Sequence, residues 1–372
     1  MFEIFDKRSW VEIDTKILKK NIDEIKKYLF DNEEMIAVVK ANAYGHNDKL
    51  FSKELYKLGI NKFAVASLGE AINLREVLED AVIVILGYTP YSDADKLVKY
   101  NLSQAITSID YLDNLYKHTN GKIKAHIAID TGMSRIGLNA KDYDLCIKTI
   151  EKYMDIYNIE GMFTHMASAD ADDLKSDEYT KMQMERFKPL AEYFKDRIKY
   201  IHYKNSSAII RKLDNMASCV RPGIILYGLY PSDEMKKYIK LEPVLSWHSV
   251  VTSVRNISKG ESVGYNNLFI ADKDMKIASV GVGYSDGFRR NMLNKAYVIV
   301  NGVKVRVLGR ICMDQCMIDV SDVDDVKIGT KVTLIGENQG EYISAEELAS
   351  IALTNHYDIL SNISVRVDRI FK

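Results

Sequence analysis

The sequence predicts an α/β chain, a (β/α)8 TIM-type barrel over residues 1–240 followed by a mostly β C-terminal domain over 241–372. Three observations predict it. From residue 34 to about 226, eight short apolar runs alternate with amphipathic stretches at helical spacing, the signature of parallel strands joined by crossover helices. No G-x-G-x-x-G turn follows the first run, so the open doubly wound sheet lacks its usual mark. After Pro231 the runs become rich in valine, isoleucine and threonine with glycine turns between them, as antiparallel strands require.

In chain order, the barrel strands are expected at 35–40, 62–67, 82–87, 102–107, 123–130, 159–165, 200–204 and 219–227. Helical patterns fill the gaps, among them 68–78, opened by Gly69-Glu70-Ala71, and 177–194 with apolar residues at helical spacing. A charged segment at 232–240 leads into β runs at 247–254, 276–282, 296–309 and 331–335. One helix interrupts them: Ser344-Ala345-Glu346-Glu347 reads as a capping box opening an apolar-periodic stretch to about Leu360.

Composition narrows the function. Lysine plus arginine (51) nearly cancels aspartate plus glutamate (52) without long blocks of one sign, so neither nucleic acid nor an anionic membrane is indicated and a small molecule is the expected partner. The longest apolar run, 81–86, is far shorter than a membrane span. Residues 1–8 show no basic segment followed by an apolar one, so export is not expected and a cytoplasmic location is. Cysteines at 146, 219, 312 and 316 form neither a disulfide framework nor a zinc-ligand spacing, so no metal is expected.

Chemistry concentrates where barrels keep it, at the C-terminal ends of the strands. In Ala37-Val38-Val39-Lys40-Ala41-Asn42-Ala43-Tyr44-Gly45-His46, Lys40 leaves an apolar strand beside a glycine turn. A desolvated lysine sheds its proton and becomes a nucleophile fit to anchor a carbonyl cofactor, whereas most strand-end lysines simply snorkel to water. After the seventh and eighth strands, Asn205-Ser206-Ser207 and Arg221-Pro222-Gly223-Ile224 offer a hydroxyl and approachable backbone amides. Singly they read as a helix cap at Ser206 and a turn at Gly223; on adjacent loops they favour an anion site. Arg135, Arg221 and His165 share that address, and an arginine there must face a carboxylate, a phosphate or a ring acceptor.

With these blocks in hand, the chain resembles the alanine racemases, pyridoxal-phosphate enzymes built as a barrel plus a β domain, through nearly its whole length. The Lys40 block is similar to the family's cofactor-lysine motif, which implies Lys40 as Schiff-base residue and Tyr44 as a phosphate ligand. Gly281-Val282-Gly283-Tyr284-Ser285-Asp286-Gly287 resembles the block bearing the catalytic tyrosine, and Gly309-Arg310-Ile311-Cys312-Met313-Asp314-Gln315 the block closing the substrate pocket. The resemblance implies Arg135 near the ring hydroxyl and substrate carboxylate, His165 touching the tyrosine, and Arg221 facing the pyridine nitrogen with His202 behind it. It further implies Asn205, Ser206, Gly223, Ile224 and Tyr357 as cofactor contacts and Met313 as a residue reaching the partner subunit's site. Three positions depart from the family pattern. Ala128 stands where some members carry a carbamylated lysine buttressing the arginine, so that buttress is absent or replaced by an anion; Ser134 stands where glycine is common; and Val367-Asp368-Arg369 replaces Val-Pro-Arg.

Racemisation needs proton donors and acceptors on both faces of an α-carbon, so the resemblance implies Lys40 and Tyr284 as the pair, with cationic His165 and Arg135 helping the phenol ionise. It also implies D-alanine supply for peptidoglycan and a homodimer with shared active sites. The alternatives are a racemase of serine or of a broader amino-acid range, a non-enzymatic pyridoxal-phosphate carrier, which the β domain with Tyr284 disfavours, and a related decarboxylase, which Arg221 disfavours.

Overall fold

The computed structural model describes residues 8–119 and 123–372, so the expectation of no export, read from the first eight residues, falls almost wholly outside the described residues. The chain divides into two compact units. One comprises Ile17–Ala43 and Asp48–Glu242; the other holds Tyr44–Asn47, Pro243–Lys372 and the described N-terminal residues up to Lys16.

The first unit is an eight-stranded parallel barrel. Its strands are Glu34–Val38, Lys62–Val65, Val82–Ile85, Ser103–Ile106, Lys124–Asp130, Asn158–Phe163, Tyr200–His202 and Cys219–Val220. Each pairs with the next, and Cys219 opposite Glu34 with Val220 opposite Met35 closes the ring. All eight lie near the sequence positions expected. The strands are buried almost throughout, polar residues such as Gln104, His126 and His202 included, because both strand faces are covered, by barrel filling inside and helices outside. The eighth strand is far shorter than 219–227: Pro222 has no N–H to donate, and the chain turns into a 3-10 segment, Ile224–Tyr227. A short extra strand, Leu138–Asn139, pairs with Ile129 and Asp130.

Local chemistry sets the helix ends. Helix Leu68–Arg75 is capped by Ser67, whose Oγ accepts from the Glu70 N–H while the Glu70 carboxylate accepts from the Ser67 N–H. The long helix Leu174–Phe194 begins three residues before the expected 177 because the Asp173 carboxylate caps the Ser176 N–H.

In the second unit, six strands close on themselves in the order Leu245–Ile257, Met275–Val280, Cys316–Asp319, Val303–Leu308, Tyr297–Val300 and Lys331–Asn338. The first is long enough to pair on both sides, and its register shifts between Val251 and Ser253, where it bends. Ser9–Ile13 adds antiparallel to this strand and Asp368–Phe371 adds parallel to Ser9–Ile13, so the N-terminal strand packs with the β unit although the sequence division places it with the barrel. Trp247 is fully buried, edge-on to Phe288, with its Nε1–H donating to Ser9 Oγ. Burying such an indole removes roughly 200 Å² from water, worth about 5 kcal/mol before entropy is charged. The expected single helix to Leu360 is two, Ala345–Ala352 and His356–Ser361, broken where Leu353 turns left-handed (φ 55°) and Asn355 caps the second.

Candidate active site

At the mouth of the barrel, the first strand ends and the chain turns the wrong way. Ala41, Asn42, Ala43 and Tyr44 all have φ between 50° and 55°, a left-handed turn that costs about 1–2 kcal/mol per residue. Neighbours hold it. Glu70 Oε1 accepts from the Ala41 N–H at 2.7 Å, Asn42 Oδ1 accepts from the Asp48 N–H at 3.0 Å, and the Ala43 N–H donates to Val39 O. The Lys40 side chain opens to solvent at this mouth, yet burial around its amine and the nearby Arg135 and Arg221 outweigh Glu70 and lower its pKa, as a nucleophilic lysine needs.

Arg221 is buried and makes four donations into the barrel: Nη1 to His202 O (2.6 Å) and His202 Nδ1 (2.7 Å), Nη2 to Thr164 O (2.8 Å) and His165 Nδ1 (3.2 Å). Burial and Arg135 lower its pKa to about 9, which leaves it charged at neutral pH. A guanidinium only donates, so Nδ1 of each histidine is an acceptor. For His165, burial followed by the charges of Arg221, Arg135 and Lys40 lowers the pKa to about 3. That corrects the expectation of a cationic His165: with Nδ1 accepting from Arg221, it is a neutral imidazole with its proton on Nε2.

The loops after the seventh and eighth strands meet. Asn205, not Ser206, is the helix cap; its Oδ1 accepts from the Ala208 N–H and its Nδ2 donates to Met166 O. Ser206 Oγ instead accepts from the Gly223 N–H at 3.0 Å, next to buried Ile224. Arg135 is exposed in a loop shaped by Asp130, whose Oδ1 accepts from the Gly132 and Ser134 N–H groups. Ser134 sits at φ 57°, a conformation glycine adopts without strain. Ala128 packs with Ala105 and Phe163 in an apolar cluster, and the cavity of about 10 Å³ between Ala128, Arg135 and His165 has room for a single water.

In the β unit, Tyr284 opens a tight turn, Tyr284–Asp286, and its side chain is 39% exposed. The turn is clamped from below. The fully buried Asp286 accepts from Arg8 Nη1 (2.9 Å) and Nη2 (2.6 Å), Arg366 Nε (2.7 Å) and the Gly283 N–H (2.8 Å). Burial raises the Asp286 pKa, but these donors outweigh it and hold the carboxyl below its usual range. The Tyr284 and Ser285 N–H groups donate to Cys312 O and Met313 O, and a Cβ at Gly283 would collide with both carbonyls. The tyrosine block and the Met313 block are thus one clasped structure. Tyr44 lies 6.0 Å from Tyr357 between ring centres, and burial pushes its pKa to about 12. Gly45, pressed against Leu360 O, gives its carbonyl to Arg369 Nε at 2.9 Å.

The structure therefore gathers Lys40, Arg135, His165, His202, Asn205, Ser206, Arg221, Gly223 and Ile224 in the barrel unit, and Tyr44, Tyr284, Met313 and Tyr357 in the β unit. Glu70, Asp286 and Arg369 are supports that sequence reasoning passed over. Glu70 was legible as the fourth residue of a Ser-x-x-Glu capping box, and Asp286 as the acid two places after the tyrosine; Arg369 was legible as the arginine retained where Val367-Asp368-Arg369 stands for Val-Pro-Arg, but its partner Gly45 was not. Among the described residues there is no cluster that could hold a metal ion and no helix long and apolar enough to cross a membrane.

The barrel mouth thus brings together an amine of lowered pKa, a cation directed by two neutral histidines, and two loops joined by a hydroxyl. Comparison with known proteins shows the family. Residues 13–231 match the model of the alanine racemase N-terminal domain and residues 244–371 that of the alanine racemase C-terminal domain. Alanine racemase of Clostridium tetani is 41% identical over 371 residues, spanning 97% of this chain and 95% of its own. The one from Methanococcus maripaludis is 38% identical, with 97% and 98% covered. Among solved structures, alanine racemase of Clostridium difficile superposes with a TM-score of 0.91 at 32% identity, covering 100% and 97% of the two chains. The Bacillus anthracis enzyme with bound L-Ala-P gives 0.90 at 36%, covering 98% and 95%.

Proposed function

The chain belongs to the alanine racemase family of amino-acid isomerases, and we propose that it interconverts L- and D-alanine with pyridoxal 5'-phosphate held at Lys40. The observation that carries this reading is the Lys40 amine, raised on a clamped left-handed turn at the barrel mouth with its pKa lowered. Tyr44, Asn205, Ser206, Gly223, Ile224 and Tyr357 would hold the cofactor, and Arg221 would face its ring nitrogen. When bound, the cofactor supplies an electron sink that acidifies the substrate's α-hydrogen.

The chain's own residues do the rest. Lys40, freed when the substrate amine enters, takes or returns the α-proton on one face, and the Tyr284 phenol oxygen does so on the other. Arg135 would bind the substrate carboxylate, and neutral His165 can donate from Nε2. Arg221, which only donates, would offer the ring nitrogen an N–H and no acceptor for a proton there, and so would favour a weaker electron sink with fewer side reactions than a carboxylate at this position would. Tyr284 is supplied by the partner of a homodimer, with Met313 beside it, and the product serves peptidoglycan synthesis in the cytoplasm. Tyr357 and Met313 narrow the pocket toward a small side chain, so alanine is favoured over serine.

Lys40→Ala tests the anchor. The variant is expected to lack the visible chromophore that borohydride abolishes in the wild type, and to lose α-hydrogen exchange of L-alanine in deuterium oxide. A retained reducible chromophore would remove Lys40 as the anchor.

A further inference from the structure

A guanidinium has five N–H donors and no acceptor. In Arg221, four are committed to His202 O, His202 Nδ1, Thr164 O and His165 Nδ1, leaving Nε–H. All four acceptors are neutral groups, so this buried cation has no carboxylate against it. Burying an uncompensated charge is costly, which raises the question of where its counter-charge lies.

The hydrogen bonds lead to one. Because Arg221 donates to His202 Nδ1, the His202 proton sits on Nε2, and Nε2 lies 2.8 Å from Nδ1 of His126. His126 Nδ1 must then accept, so its own proton is on Nε2. Both rings are fully buried. His126 Nε2 is otherwise without a partner, and Glu160 Oε1 stands 3.5 Å away, itself receiving the Ser103 hydroxyl. Burial raises the Glu160 pKa, but His126 and Ser103 outweigh it and keep the carboxylate ionised.

The barrel is cut to fit these rings. A Cβ at Gly161 would overlap the His126 imidazole, so only glycine leaves the slot open. His126 stacks on Tyr200, His202 stacks on Phe163, and the Arg221 guanidinium lies over the same Phe163 ring at 5.5 Å.

We propose that His126 and Glu160 are positioning residues for racemisation: with His202 they form a one-way relay, two hydrogen bonds ending at a facing carboxylate, that gives Arg221 its counter-charge and holds its Nε–H for the cofactor ring. The inference rests on the reading of Arg221 as the residue facing that ring. The two hydrogen bonds donate in the same direction, from guanidinium to imidazole to imidazole, and the chain ends in the 3.5 Å approach of His126 Nε2 to the Glu160 carboxylate.

The test uses holoenzyme with its seven histidines labelled with 15N. His202 and His126 are expected as neutral Nε2–H tautomers with slowly exchanging, low-field protons. In Glu160→Gln, which keeps the shape and removes the charge, the His126 Nε2–H signal should move and kcat should fall roughly threefold. In His126→Phe, the His202 proton loses its acceptor, and kcat should fall roughly tenfold with KM changed by less than about twofold, since Arg221 does not bind the substrate carboxylate. An Nδ1–H or doubly protonated state of either histidine overturns the relay. So does a folded His126→Phe with wild-type kcat, or, should that variant not fold, a Glu160→Gln with unchanged signal and unchanged kcat. Arg221→Gln separates the two readings: if it keeps wild-type kcat and visible spectrum while the wild-type tautomers are as stated, the placement of Arg221 at the ring fails, and the relay loses its catalytic purpose with it.

Discussion

Replacing Asp286 by asparagine should loosen the turn that carries Tyr284 without touching the tyrosine itself. The buried carboxylate takes four hydrogen bonds, three of them from Arg8 and Arg366. An asparagine has one oxygen to accept with, and its amide hydrogens face donors. Two charge-assisted bonds are lost, each worth about 1.5–3 kcal/mol, but both arginines are roughly two-fifths exposed and recover part of this in water. The expected loss is about 2–4 kcal/mol, at the lower end of what breaking a buried pair costs. It is measured as a shift in the urea midpoint at unchanged slope. Because the Gly283 N–H and the Tyr284 backbone share the clasp, kcat should fall more than KM rises. A variant as stable as wild type, or one with wild-type kcat, would show that the clasp does not hold the turn.

Ser134→Gly relieves a left-handed serine and should stabilise the folded protein by about 0.5–1 kcal/mol, read as a higher urea midpoint with activity preserved. Acid should destabilise the protein through histidines buried neutral. His165, lowered to about 3, and His202, lowered well below the ordinary imidazole range by burial, stay unprotonated while the unfolded chain binds protons below about pH 6.5. Their contribution is fully present above that pH and is lost as pH falls toward 3, at about 1.4 kcal/mol per unit for each; an unfolding free energy flat between pH 7 and 5 would refute the neutral assignments. Finally, Lys40→Ala and Tyr284→Phe proteins, each inactive, should regain roughly a quarter of wild-type activity when mixed and allowed to exchange subunits, since random pairing leaves about one site in four intact. No recovery, with exchange confirmed by mass, would place both residues in one subunit's site.

The barrel was legible because each strand is an apolar run long enough to stand out from its amphipathic neighbours, and the errors fall where a backbone property overrode the side-chain pattern. Residues 223–227 look like a strand by composition, yet Pro222 and the glycine after it send them into a 3-10 turn. Helical periodicity runs through Leu353, but a left-handed residue is invisible to periodicity unless it is glycine. Lys40, Arg221 and Tyr284 could be singled out because their types are costly where they sit. The charge state of His165 could not, because it depends on Arg221, Arg135 and Lys40 converging from three strand ends. His126 and Glu160 read as ordinary strand residues; only the closed barrel reveals that both line up behind Arg221.

That convergence also bears on ligand capture. The chain as a whole carries a net charge of −1, yet Lys40, Arg135 and Arg221 are close enough to lower one another's proton affinity or that of His165. Among the described acids, Glu70 is the one that favours the charged Lys40, and its carboxylate is already committed to the Ala41, Ala66 and Ser67 N–H groups. A cluster of like charges at a barrel mouth works against folding and is tolerated where an anion offsets it. A phosphate or a carboxylate would do so, and under the proposed function the same cluster would serve the cofactor and the substrate in turn. Two consequences follow from the physics. Added phosphorylated cofactor should raise the unfolding temperature by more than its apolar contacts alone provide, in proportion to RT ln(1 + [L]/Kd). Its association rate should fall as ionic strength rises, because the attraction is partly exposed at the mouth and is screened over about 8 Å in physiological salt.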